Sequence, residues 1–147
     1  MLVCPSFFKQ ILVLVGMVGL TGCGQGGGRE LNPTEERLYK IGKAYLRACH
    51  ALSRGPNDFG EIKQDIEGDI PEDLLVSPND GKPFVILWGV DLTQLRFTRE
   101  NPFTVLAYEK TAANGTRYVL RFPISLVLMT DDELQKAAFP PGHKPPS

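Results

Sequence analysis

A chain of 147 residues, 42% of them apolar and 22% charged, is one domain's worth and long enough for its own core. Its 16 basic and 17 acidic side chains leave a net charge of −1, which excludes the basic footprint of a nucleic-acid-binding protein. Three cysteines, Cys4, Cys23 and Cys49, are too few for a disulfide-stapled scaffold.

The first segment is Lys9 followed by the apolar run Ile11–Leu20. A membrane-spanning helix needs about 20 apolar residues, so the run is too short for one and suits the core of a secretory signal. Leu20-Thr21-Gly22-Cys23 follows directly. It resembles the lipobox of bacterial lipoproteins, which implies diacylglycerol on the Cys23 sulfur and cleavage just before it. An ordinary export signal and an uncleaved anchor are the alternatives. Lipidation would hold the chain to a membrane, because each buried methylene contributes about 0.8 kcal/mol and several chains give stable residence. Gly24-Gln25-Gly26-Gly27-Gly28 then reads as a flexible spacer. Gly24 stands where aspartate marks inner-membrane retention in enterobacteria, so the resemblance favours the outer membrane, facing the periplasm. The expected organisation is a signal peptide over 1–22, lipidated cysteine and tether over 23–33, one domain over 34–139 and a proline-rich tail over 140–147.

With Cys4 lost in the signal and Cys23 acylated, Cys49 stands alone and is expected to be a buried thiol. It falls in an amphipathic helix from Thr34 to Ser53. Leu38, Ile41, Tyr45, Ala48, Cys49 and Leu52 recur at spacings of three and four. Thr34 is read as the N-cap, Glu35 and Glu36 sit in the first turn, and Gly55-Pro56 ends the helix. Phe59, Ile62 and Ile66 suggest a shorter second helix, and Pro71–Leu75 a single turn.

Ser77-Pro78-Asn79-Asp80-Gly81-Lys82-Pro83 is a turn-rich switch from helix to strand. Phe84-Val85-Ile86-Leu87-Trp88 is expected to be the central, best-buried strand. Phe103–Glu109 and Arg117–Phe122 flank an Asn114-Gly115 hairpin turn. In the second arm Tyr118, Leu120 and Phe122 alternate with Arg117 and Arg121, which predicts one buried and one wet face. Pro123 breaks the run before a further strand over Ile124–Met129. Thr130-Asp131-Asp132-Glu133 is a capping box opening a final helix through Ala138. The predicted fold class is α+β: a long N-terminal helix on a three- to four-stranded antiparallel sheet, with a short C-terminal helix.

No catalytic kit stands out. Ser6-Phe7-Phe8-Lys9 spells a serine acyl-transferase pattern inside the discarded signal. Cys49 and His50 are helix neighbours about 100° apart, so they do not form a dyad. Asp65, Glu67 and Asp69 alternate like the start of a calcium loop, but glycine comes at the fourth place instead of the sixth, and Val76 stands at the twelfth. No metal and no cofactor is expected. Lys40, Lys43, Arg47, His50 and Arg54 form a basic stripe opposite the apolar face, suited to acidic headgroups or an acidic partner. The favoured reading of that stripe is an ordinary solvated helix face.

Helix, variable loop, then antiparallel meander resembles the pseudopilins of type II secretion, and Ser77–Phe84 is similar to the turn before their first strand. The resemblance implies a pilin-like head. With a lipobox in place of a prepilin cleavage site and apolar stem, such a head would not polymerise. Phe84–Asp91, Val105–Lys110 and Phe139–Pro145 resemble segments of small planctomycete-type bacterial lipoproteins, which implies a class and no activity. The expected function is a non-enzymatic envelope lipoprotein that binds or scaffolds, with the membrane and an envelope protein as partners. An accessory of a secretion or pilus-like system and a cryptic enzyme are the alternatives.

Overall fold

The computed structural model describes residues 29–146. The signal, Cys23 and the spacer up to Gly28 lie outside the described residues. Helix α1 (Pro33–Leu52) packs on a four-stranded antiparallel sheet in the order β1 (Val85–Ile86), β2 (Thr104–Tyr108), β3 (Arg117–Phe122) and β4 (Ser125–Met129). A single turn, α2 (Phe59–Ile62), runs into a 3₁₀ turn at Lys63–Asp65, and α3 (Asp131–Lys136) follows β4. The architecture is α+β, as the alternation of periods in the sequence predicts. None of the described helices is long and apolar enough to cross a membrane.

The apolar stripe of α1 faces inward: Leu38, Ile41, Ala44, Tyr45, Ala48 and Cys49 are buried. Gly42 sits directly against the Leu120 side chain of β3. The N-cap is Asn32 rather than Thr34. Its side chain accepts from the Glu35 amide at 2.9 Å while the Glu35 carboxylate accepts from the Asn32 amide at 3.0 Å. Pro33 takes the first helical position, where a missing N–H costs nothing, and this moves the cap upstream. Thr34 is inside the helix and buried. The cap also reaches the sheet, because the Asn32 side-chain amide donates to the Tyr118 hydroxyl at 2.6 Å.

Two further expectations are corrected. Phe84–Trp88 is not the central strand: only Val85 and Ile86 pair, at the sheet edge, and both are half-buried. Gly89 takes a positive φ of 77° and donates to Pro56 at 2.7 Å, bending the chain off the sheet. The most buried strand is β2. Nor does β3 have a wet face. Arg117 is only 7% exposed and Val119 is fully buried, because the chain after β4 folds back over that side. There Arg117 pairs with Asp131, the Tyr108 and Phe139 rings meet edge-on at 6.4 Å, and the Val105 amide donates to the Ala138 carbonyl. Two arginine positions in a strand mimic a solvent pattern, but Arg117 is bound by Asp131 and Arg121 packs on the Phe103 ring.

The β2–β3 connection closes at an isolated Ala113–Thr116 bridge around a two-residue turn with positive φ at Asn114 (53°) and Gly115 (81°), the geometry that matches the twist of paired strands. The β3–β4 turn contains a cis Phe122–Pro123 peptide. The Thr130 capping box forms, with Glu133 accepting from the Thr130 amide at 2.8 Å. Helix α3 stops at Lys136, and Ala137 is already extended, which frees the Ala138 carbonyl for β2.

Candidate functional site

The basic stripe and the acidic loop, separate features of the sequence, meet in space. The Lys43 ammonium lies 2.8 Å from the Glu67 carboxylate, which Arg47 also binds. Arg47 donates as well to the Asp65 carbonyl. Lys40 pairs with Glu36 one turn back at 3.0 Å, and Arg54 grips both oxygens of Glu61 at 2.7 and 2.9 Å. Hydrogen bonds from Lys43 and then Arg47 hold the Glu67 carboxyl down at about 2. The Arg54 guanidinium, followed by the Asn57 amide, does the same for Glu61, also at about 2. Four of the five stripe positions are thus paired with carboxylates, and His50 is exposed. Such exposed pairs contribute little stability each, but they remove net positive charge from this face. Asp65, Glu67 and Asp69 do not gather as ligands; among the described residues no group of three or more His, Cys, Asp or Glu could hold a metal ion.

Cys49 is fully buried and its thiol points to the Val90 carbonyl at 3.6 Å. Burial pushes the thiol up from its ordinary value, away from the reactive thiolate. Its neighbour His50 faces solvent, so the pair does not converge. Next to Cys49, the Tyr45 hydroxyl donates to the Leu87 carbonyl and accepts from the Val90 amide, both at 2.9 Å. Burial raises this phenol too, and its ring stacks on Trp88 at 5.8 Å. This cluster ties α1 to the segment after β1 and is structural.

Two concave regions are more open. On one side of the sheet, Arg121 stacks over Phe103 at 4.3 Å and donates to Ser125 at 3.2 Å. Burial pulls its guanidinium below the usual arginine value. Glu100, Met129, Glu133 and Lys136 complete a cleft of about 190 Å³. Two cations face two carboxylates there, which gives no preference for one sign of ligand.

On the opposite side, a groove of about 490 Å³ runs between α1 and β4, lined by Arg29, Leu31, Glu35, Tyr39, Ile124 and Leu126. Strand register places Leu126 and Leu128 opposite Leu120 and Tyr118, on the face that α1 covers. The helix reaches β3 fully but leaves β4 partly bare: Leu128 is 53% exposed, Tyr39 39% and Leu31 38%. Arg29 and Glu35 pair with each other, so the groove's two charges cancel and the rest is apolar. Sequence periodicity did not single out these residues. Tyr39 lies off the apolar stripe of α1, between Lys40 and Leu38, and Leu31 lies in what reads as spacer. The one available signal was that an aromatic sits on the otherwise charged face of the helix.

The chain matches no family model, no curated protein and no solved structure.

Proposed function

We propose that this chain is a lipid-anchored protein of the bacterial cell envelope, held by acylated Cys23 and acting by binding or scaffolding rather than by catalysis. The outer membrane, with the domain on its periplasmic side, is the proposed location. The observation that supports this reading is how close in sequence the described fold comes to Cys23. Arg29 is already bonded to Glu35 and Asn32 caps α1, so only Gly24 to Gly28 separate the lipobox cysteine from the domain. A short glycine-rich leash between acylation site and globule is what surface tethering needs. The apolar groove beside that leash supports a role in contact with another surface.

The test is intact-mass analysis of the protein extracted from membranes, with fractionation of a Cys23→Ala variant. The expected result is a chain beginning at Cys23 with a diacylglyceryl adduct, and release of the variant into the soluble fraction. An unmodified Cys23, or a variant that stays in the membrane fraction, overturns the reading.

A second reading, an accessory of a type II secretion or pilus-like system, is favoured by the order of parts, one long helix laid across the meander β1–β4. Co-isolation of secretion-machine components with the tagged chain after cross-linking, lost on removal of the lipid anchor, would support it.

A further inference from the structure

We propose that the α1–β4 groove is a bilayer-contact face: Leu31, Tyr39, Ile124, Leu126 and Leu128 rest on the lipid surface and fix the orientation of the tethered domain. This deepens the anchoring proposal and rests on it.

Geometry makes the argument. Arg29 is the first described residue and lines the groove itself. Five residues join it to Cys23, a span of at most about 20 Å when fully extended. An acyl group in the bilayer therefore keeps Arg29, one of the residues lining the groove, near the headgroups in every orientation. Confinement of this kind turns a weak surface affinity into a stable contact, because the second attachment is intramolecular.

The chemistry of the face suits lipid. Tyr39 lines the groove and is 39% exposed, and tyrosine, with an apolar ring and a polar end, is a residue enriched at membrane interfaces. Lys43 lies 5.6 Å from the centre of that ring and is itself paired with Glu67, so no unbalanced charge borders the groove there. Strand β4 is the last in the sheet, and its face that α1 leaves partly bare, with Leu128 53% exposed, is the apolar surface the bilayer would cover. The Arg121–Phe103 cleft, on the other side of the sheet, then faces away from the membrane.

The experiment uses the full, lipidated chain reconstituted into vesicles of brominated phosphatidylcholine. In a Trp88→Phe background, Leu128→Trp reports on the exposed β4 face beside the groove and Lys136→Trp on the opposite side. Thermal melting by circular dichroism checks that both variants fold. Vesicle flotation is scored first, because a chain that does not float refutes the anchoring and the contact with it. For chains that float, the contact predicts that brominated lipid quenches Leu128→Trp by about twofold or more over Lys136→Trp. Equal quenching of the two, or quenching of neither, overturns the contact while leaving the anchoring intact. The latter result is also expected if a second copy or another protein fills the groove.

Discussion

Glu109 and Ser77 meet at the end of β2 with neither side chain exposed: the Ser77 hydroxyl donates to one carboxylate oxygen of Glu109 at 2.5 Å. The other oxygen accepts from the Tyr118 amide at 2.8 Å. Ser77 opens the turn before β1, and its hydroxyl also accepts from the Asn79 amide. Asp80 and Lys82 of the same turn bond to the backbone and side chain of Thr111. A loop that is polar by composition is thereby pinned to the β2–β3 hairpin through a buried carboxylate.

Glu109→Ala leaves the Ser77 hydroxyl and the Tyr118 amide buried without an acceptor, and is expected to cost about 2 kcal/mol in urea unfolding. Glu109→Gln keeps an oxygen for Tyr118 and directs an N–H₂ toward Ser77, so it should stay within about 1 kcal/mol of the parent. Equal losses for the two variants would show that side-chain volume, not hydrogen bonding, sets the cost.

Gly55 and Gly42 separate two kinds of close approach. A Cβ on Gly55 would lie 2.4 Å from the Gly89 carbonyl carbon and 2.5 Å from the Val90 amide nitrogen, and backbone cannot rotate away. That backbone is further fixed by the Gly89–Pro56 and Val90–Tyr45 hydrogen bonds. Gly55→Ala should therefore destabilise by about 3 kcal/mol. A Cβ on Gly42 would lie 2.9 Å from one Leu120 methyl, which can turn, and alanine favours the helix by about 1 kcal/mol. Gly42→Ala should come out within about 1 kcal/mol of the parent. Thermal melts of the two variants, side by side, decide it.

Tyr45→Phe removes the hydroxyl that serves both Leu87 and Val90 while keeping the ring on Trp88. The expected loss is about 2 kcal/mol, from a buried amide and carbonyl left without that partner. Trp88 is the chain's single tryptophan, so its fluorescence reads the segment after β1 directly. A variant with unchanged emission and a lower melting temperature is the predicted pattern. A red-shifted emission in the native state would mean that the hydroxyl positions Trp88 as well as stabilising it.

Much of this fold is written locally. The three-and-four spacing of α1, the Asn114-Gly115 turn and the Thr130–Glu133 capping box each depend on residues within a few positions of one another, and all three form. What the sequence does not disclose is non-local. Arg117 and Arg121 alternate as if toward water, yet Asp131 binds Arg117 and Phe103 lies under Arg121. Phe84–Trp88 is apolar enough for a central strand, but Gly89 and its bond to Pro56 draw the chain away after two paired residues. The groove depends on how far α1 overhangs β4, which no periodicity encodes. Even the basic stripe changes meaning once Glu67 is seen between Lys43 and Arg47.

Stability should fall on both sides of neutrality, for opposite reasons. Glu61 and Glu67 are held at about 2 by their cations, and the Thr130 amide lowers Glu133 in the same direction. A carboxyl depressed in the folded state stabilises fully above its unfolded value of about 4.3, and that contribution is lost as pH falls toward 2. Tyr45 and Cys49 are raised by burial, so their contribution is complete below their unfolded values of about 10 and 8.5. It declines as pH rises past those values, because the unfolded chain ionises while the folded core does not. Urea midpoints measured from pH 2 to 11 should show a plateau between about 5 and 8. Glu61→Gln combined with Glu67→Gln should flatten the acid limb only, and salt should do the same, since these pairs are exposed and screened. Tyr45→Phe should flatten the alkaline limb above about 10. An acid limb unchanged in the double glutamine variant would place the acid-sensitive carboxylates elsewhere in the domain.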